Sequence, residues 1–172
     1  MTRGADGSTV RIRRIRATDI AALERFYAEL SVDSRVTRFL GATPALDHGR
    51  SQTFCTADHQ HREGFVAVLR ETDGPERIVG HLCIEPDDAD SAEIAVAVAD
   101  RLQGRGIGRG LVQAAIAWGR DVGLRRLEAT AFATNARVIG LLRSLGLPVV
   151  IDWRGGSTCE MSIDLRTLSA AA

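Results

Sequence analysis

The stretch from Glu93 to Gly123 leaves this chain few ways to fold. It reads as a short apolar strand (Ile94, Ala95, Val96, Ala97, Val98), the turn Asp100-Arg101-Leu102, the segment Gln103-Gly104-Arg105-Gly106-Ile107-Gly108-Arg109-Gly110, and then an amphipathic helix. Glycines at alternate positions allow a tight turn and expose successive backbone N–H groups with no Cβ in the way. Together with the free N–H groups and positive end of the following helix, these donors predict a socket for a phosphate or pyrophosphate.

Two kinds of phosphate loop are excluded by missing residues. A Walker A loop needs a lysine after its last glycine, whereas all 22 basic residues of this chain are arginine. A dinucleotide fingerprint needs glycine at 109 or 111, where Arg109 and Leu111 stand. The pattern that fits is Q-x-x-G-x-G, filled by Gln103, Gly106 and Gly108, with Val98 ending the strand before it. In this loop and strand the sequence resembles the GNAT superfamily of N-acyltransferases, in which such a loop holds the pyrophosphate of acetyl-CoA. The resemblance continues through Asn135, which follows the next strand, to Leu145-Gly146 at the end of the helix behind it. The segment from Leu30-Ser31 to Arg38-Phe39-Leu40 is similar to the acceptor-side helix of GNAT domains of bacterial protein lysine acetyltransferases.

The resemblance implies acetyl-CoA as co-substrate, held by the main chain of Val96, Ala97 and Val98, by the loop Gln103, Gly104, Arg105, Gly106, Ile107, Gly108 and Arg109, and by Asn135. It also implies an amine acceptor. A lysine-like amine has a pKa of about 10.4, so at pH 7 only about 4 in 10,000 molecules are neutral, a handicap of roughly 4.6 kcal/mol. A general base is required, and the Ala-Glu-Ile run places Glu93 where histone-type members carry theirs. The plain alternative for Glu93 is a solvent-facing strand residue. The N–H of Val98 is the expected donor to the thioester oxygen, which requires the strand to splay from its parallel neighbour after about Val96, often through a bulge. Many relatives carry a tyrosine as general acid where this chain has Leu142, so no acid carries over.

The other elements follow from periodicity. Val10 to Arg16 reads as a strand. A helix capped by Thr18 carries Ile20, Leu23, Tyr27 and Leu30, and a second, short one carries Val32, Val36, Phe39 and Leu40 on one side. Pro44 to His61 shows little pattern. Phe65 to Leu69 and Ile78 to Glu85 pair across the turn Glu71 to Glu76, with Glu93 to Val98 next in the meander. Leu111, Ala115, Trp118 and Val122 mark a helix stopped by Gly123. Leu127 to Phe132 is a strand parallel to its predecessor, Ala136 to Leu145 a helix, and Val149 to Trp153 with Cys159 to Leu165 a closing hairpin. The expected class is α/β (α+β), a GNAT fold whose mixed, mostly antiparallel sheet is splayed between its fourth and fifth strands and flanked by helices.

A chain of 172 residues with 45% hydrophobic content is one domain, here 9–166, between a flexible lead (1–8) and a tail (167–172). Zero formal net charge gives no reason to expect nucleic acid or a membrane surface as partner. With no apolar run long enough to span a bilayer and no leader pattern, a cytoplasmic monomer or homodimer is expected. Cys55, Cys83 and Cys159 read as buried or partly buried free thiols. His59, His61 and His81 have no Cys or carboxylate at ligand spacing, so no metal is expected. The run Glu85, Asp87, Asp88, Asp90 and Glu93 is either a solvated turn or a lure for a cationic acceptor. The function implied is N-acetyl transfer to a primary amine such as a protein lysine. The alternatives are a small-molecule acceptor (aminoglycoside, polyamine or amino acid) and a non-catalytic acyl-CoA-binding module.

Overall fold

Apolar residues at consecutive rather than alternating positions along 64–68 and 78–84 demand a sheet covered on both faces. The computed structural model, which describes residues 2–3, 9–42, 46–70, 75–153 and 156–166, has that architecture. Its strands are β1 (Thr2–Arg3), β2 (Thr9–Arg14), β3 (Glu63–Arg70), β4 (Arg77–Pro86), β5 (Ser91–Val98), β6 (Arg126–Phe132), β7 (Val149–Asp152) and β8 (Thr158–Asp164). Its helices are α1 (Ile20–Ala28), α2 (Val32–Phe39), α3 (His48–Cys55), α4 (Ile107–Asp121) and α5 (Ala136–Arg143). Among the described residues the strands form one sheet in the order β1-β2-β3-β4-β5-β6-β8-β7. Every neighbour is antiparallel except β5 and β6, because α4 carries the chain back between them. The mixed, mostly antiparallel sheet expected from the sequence, with the strand after the glycine loop's helix parallel to the one before it, is present.

Two cores lie on the two faces. Leu23, Phe26 and Tyr27 of α1 pack with Val66, Val68 and Ile78 on one; Leu111, Val112 and Ala115 of α4 pack with Leu82, Ile84, Ile94, Leu127 and Met161 on the other. Leu142 is 1% exposed in this second core, so its side chain belongs to packing. Among the described residues no helix is long and apolar enough to cross a membrane.

The splay is present but begins earlier than expected. β5 and β6 are paired only at Ser91–Arg126, Ala92–Leu127 and Glu93–Glu128, so they part after Glu93 rather than after Val96. No bulge in β5 achieves this, since the β4–β5 register runs unbroken from Gly80–Val98 to Pro86–Ala92. The slip occurs one strand away, where Ala67 pairs with Gly80 and Val68 with Ile78, leaving Val79 as the extra residue.

Other details also differ from the sequence reading. Thr2–Arg3 pairs with Val10 and Thr9, so part of the 1–8 lead enters the sheet. Asp19, not Thr18, fixes the start of α1: its carboxylate accepts the Arg16 N–H at 2.9 Å and a bidentate contact from Arg13 at 2.7 and 2.9 Å. Helix α3 lies in the stretch with little pattern, capped by Asp47, which accepts the Arg50 N–H at 2.8 Å. Val32, expected on the packed side of α2, is 64% exposed. Residues 71–74 of the expected turn and the tail 167–172 lie outside the described residues.

Candidate active site

The four loop glycines divide into two jobs. Gly104 and Gly106 adopt φ of +74° and +82°, conformations that L side chains rarely take, and a Cβ on either would meet nothing within 4 Å. Gly108 and Gly110 lie inside α4, where a Cβ would stand 2.8 Å from Leu141 Cδ1 and 2.6 Å from Ile12 Cδ1. The first pair shapes the turn and the second lets α4 pack. The Gly110 N–H reaches the Gly106 carbonyl at 3.0 Å as the first helical bond. That leaves the N–H groups of Ile107, Gly108 and Arg109 without helical acceptors, and no side chain caps them. Arg105 and Arg109 are exposed beside them. A polyanion fits this end: free donors, a positive helix terminus and open space over the glycines.

Gln103 and Asn135 are engaged inside the protein. The Gln103 amide donates to the Val98 carbonyl at 3.1 Å and to the Ser34 hydroxyl at 3.2 Å, and its oxygen accepts from Arg137. Asp100 accepts from the Ser31 N–H and hydroxyl, both at 2.9 Å, and from the Ser34 hydroxyl at 2.5 Å. The loop is thereby tied to the start of α2 and to α5. Asn135 caps α5, accepting the Val138 N–H at 3.3 Å.

Pairing register decides which way the β5 main chain points. The Ala99 N–H reaches the Val79 carbonyl at 2.9 Å and the Asp87 N–H the Ser91 carbonyl at 3.2 Å. In an antiparallel ladder hydrogen-bonded pairs alternate, so Glu93, Ala95 and Ala97 spend their N–H and C=O groups on β4. Those of Ile94, Val96 and Val98 point the other way, toward β6, which has departed after Glu93. The Glu93–Glu128 pairing still takes the Ile94 N–H, so the splay presents open groups from the Ile94 carbonyl through Val96 to the Val98 N–H, the Val98 carbonyl being held by Gln103.

On the α1–α3 face a cleft of about 390 Å³ opens over the same strands. Cys83, Glu85, Glu93, Ala95 and Thr130 form its floor; Arg38, Phe39, Arg50 and Phe54 stand in its walls, with Arg62 at the rim. Glu85, Glu93 and Glu128 are in register on three adjacent strands. Glu85 is paired with Arg62 at 2.5 Å and Glu128 with Arg126 at 3.3 Å. Among the described residues Glu93 has no such partner, and its side chain is exposed in the cleft.

The acidic run is otherwise spoken for. Asp88 pairs with Arg126 at 3.5 Å, Asp90 with Arg125 at 3.3 Å, and Asp87 accepts from Ser91 at 3.3 Å. Three of the five carboxylates of the run, Glu85, Asp88 and Asp90, are thus paired with arginines, which weakens the pull of the run on a cation and leaves Asp87 and Glu93 without one among the described residues.

Beneath the cleft lies a buried polar network that the sequence did not disclose. The Tyr27 hydroxyl and His81 Nδ1 are 3.0 Å apart, and an Arg38 Nη donates to Cys83 Sγ at 3.0 Å. Burial pushes the Tyr27 hydroxyl up to about 12 and the Cys83 thiol upward, and pushes His81 down to about 3, the charge of Arg38 adding to the last. All three are thus neutral near pH 7. Glu63 is another hidden feature: fully buried, it contacts His59 at 2.8 Å and Arg14 at 3.1 Å. A glutamate at the start of a strand gives no sequence signal of burial. Cys55, Cys83 and Cys159 are buried free thiols. Among the described residues no three His, Cys, Asp or Glu side chains stand close enough to hold a metal ion.

The family model described as the acetyltransferase (GNAT) family matches residues 23–147. A Pseudomonas aeruginosa protein, acetyltransferase PA5475, is 32% identical over 145 residues, covering 82% of this chain and 76% of that one. The crystal structure of the GNAT domain of S. lividans PAT superposes with a TM-score of 0.80 at 27% identity, with 92% of each chain covered. The fold is also that of the Salmonella typhimurium acetyltransferase yncA, solved with its cofactor acetyl-CoA, at a TM-score of 0.69 and 20% identity over 95% of this chain and 98% of that one. The chain belongs to the GNAT family of acetyltransferases, enzymes of acetyl-CoA-dependent N-acetyl transfer.

Proposed function

We propose that this enzyme transfers the acetyl group to a primary amine by direct attack, with Glu93 as general base. One observation carries the reading: in a row of three registered glutamates, Glu93 alone keeps its carboxylate uncommitted, and it faces the cleft beside the splay. In this reading the N–H groups of residues 107–109 take the pyrophosphate of acetyl-CoA, and the open main chain of Val96 and Val98 takes the pantetheine arm. Gln103 holds the loop against β5, and Asn135 fixes the helix that flanks it. Bound there, acetyl-CoA supplies an acyl carbon already activated as a thioester. The amine nitrogen bonds to that carbon as the C–S bond breaks, Glu93 receives the amine proton, and the thiolate takes a proton from water. The Val98 N–H stabilises negative charge on the thioester oxygen. With Leu142 buried, no side chain there serves as acid, and none is essential for a thiolate leaving group whose thiol pKa is about 8.5.

A second reading narrows the acceptor to a protein lysine. It is favoured by the likeness of the Leu30 to Leu40 segment to that of protein-acetylating relatives and by Leu142 in place of tyrosine. The test is thiol release from acetyl-CoA with pooled free amines and with host proteins at matched concentration, followed by mass spectrometry of the products. Enzyme-dependent lysine labelling supports the second reading; acetylation of free amines alone rejects it.

A further inference from the structure

Arg38 and Arg50 line the cleft that contains Glu93, and among the described residues neither forms an ion pair. This is unusual for the cleft, where Arg62 is matched by Glu85. Arg38 donates to the Cys83 sulfur, and its Nε is buried with no hydrogen-bond partner. Its nearest polar neighbours, Tyr27, His81 and Cys83, carry no compensating charge near pH 7. The guanidiniums of Arg38 and Arg50 lie 4.9 and 5.6 Å from the centre of the same ring, Phe39, and that of Arg38 lies 6.0 Å from Phe54. Ring faces hold cations in place, yet they do not cancel a charge withdrawn from water. A half-buried guanidinium with spare donors is matched best by a planar oxyanion.

We infer that the acceptor carries a carboxylate, or an isosteric oxyanion, on the same molecule as its amine, and that Arg38 and Arg50 seat this anion while Glu93 receives the amine proton. The inference rests on the reading of Glu93 and the cleft as the acceptor site, and names the chemistry of what enters. A cleft of about 390 Å³ has the size of a small-molecule site, which suits a free amino acid. A lysine beside an acidic residue in a peptide offers the same chemistry.

The test compares free amino acids with their carboxamides and decarboxylated amines, and a lysine peptide with and without a neighbouring aspartate. Thiol release is measured with wild-type protein and with Arg50→Gln. Arg50 is exposed on α3, so its loss leaves the core intact; Arg38→Lys, which keeps the charge but not the fork, is the companion variant. Binding of the same compounds to the CoA-saturated protein is followed in parallel by calorimetry. The expected result is a preference for the acid form of about 10- to 100-fold in kcat/KM, the effect of one charged hydrogen-bonded contact. Arg50→Gln should abolish most of that preference by raising KM for the acid much more than for the carboxamide, with KM for acetyl-CoA unchanged. Which compound shows the preference, amino acid or aspartate-flanked peptide, identifies the source of the anion. Equal use of acid and carboxamide, with transfer intact, overturns the anion seat and leaves the acetyltransferase reading standing. Arg50-dependent binding of the acid without transfer to any amine supports the seat and overturns the role given to Glu93. Neither binding nor preference overturns the seat outright.

Discussion

Glu93 shares its row with Glu85 and Glu128, and like charges on adjacent strands repel. The arginines on the two outer members relieve the row at its edges and leave the middle carboxylate unpaired. If that carboxylate takes the amine proton, Glu93→Gln should lower kcat by about 10²- to 10⁴-fold, the range for a general base, with affinity for acetyl-CoA unchanged. Steady-state kinetics across pH 6 to 9 checks this; more than half the wild-type turnover would remove Glu93 from the chemistry. His81 supports a different kind of prediction. Its folded pKa is depressed to about 3 by burial and by Arg38, whereas an unfolded histidine titrates near 6.5. The unfolded chain therefore binds the extra proton between those values. Stability from keeping His81 neutral is full above about pH 6.5 and is lost as pH falls toward 3, with a slope of about 1.4 kcal/mol per pH unit for one proton. His81→Gln keeps a hydrogen-bond partner for Tyr27 and does not titrate. Its stability deficit against wild type, measured by urea unfolding, should shrink steadily from pH 7 to pH 5.

The loop and α4 make their own prediction because their glycines do different work. At Gly106 the space is open but φ is +82°, so a β-branched residue costs about 1–2 kcal/mol of backbone strain or turns the free N–H groups away. At Gly108 the backbone is ordinary helix, and the new Cβ would stand 2.8 Å from the Cδ1 end of the half-buried Leu141, which can turn aside, so the overpacking lies at the low end of about 1–3 kcal/mol. Gly106→Val should weaken CoA binding at least tenfold, with a fall in Tm of about 2–4 °C for each kcal/mol of strain the turn retains. Gly108→Ala should lower Tm, and Leu141→Ala should cost less Tm in that background than in the wild type. Calorimetry with CoA and thermal unfolding of these proteins separate these outcomes. The same elements show what a sequence can disclose. The loop, its strand and the helix behind it were legible because glycine spacing and apolar periodicity are local properties. The start of the splay was not, since it depends on where β6 departs, a contact between residues far apart in the chain. Helix α3 was missed because its only strong local signal is Asp47 at its cap. The arginines of the cleft and the burial of Glu63 and His81 arise wholly from packing, so nothing near them in sequence marks them.

At the scale of the whole molecule, the splay makes the sheet two unequal halves. Among the described residues β1 to β5 lie on one side and β6, β8 and β7 on the other, joined in the sheet by three registered pairs, Ser91 to Glu93 with Arg126 to Glu128, and outside it by α4 packing across both, by α2 against β6 and by Gln103 with Arg137. A ligand that bonds the open side of β5 and the start of α4 fastens the seam at the point where the sheet itself does not. Such a ligand stabilises by mass action: at 100 times its Kd it adds about 2.7 kcal/mol. For a domain of this size that corresponds to a rise in Tm of about 5–11 °C. Any site on the protein would give the same rise, so the location must be read separately. Amide hydrogen exchange provides it, because register assigns each β5 amide to one side. On saturation with acetyl-CoA, protection should increase at Val96 and Val98 and at residues 107–109, whose N–H groups have no acceptor in the fold. Ala95 and Ala97, already bonded to β4, should change little beyond the global gain. Protection rising equally at odd and even positions of β5, or confined to the second cleft, of about 370 Å³, near Phe26, Arg77 and Arg101, would place the cofactor somewhere other than the splay.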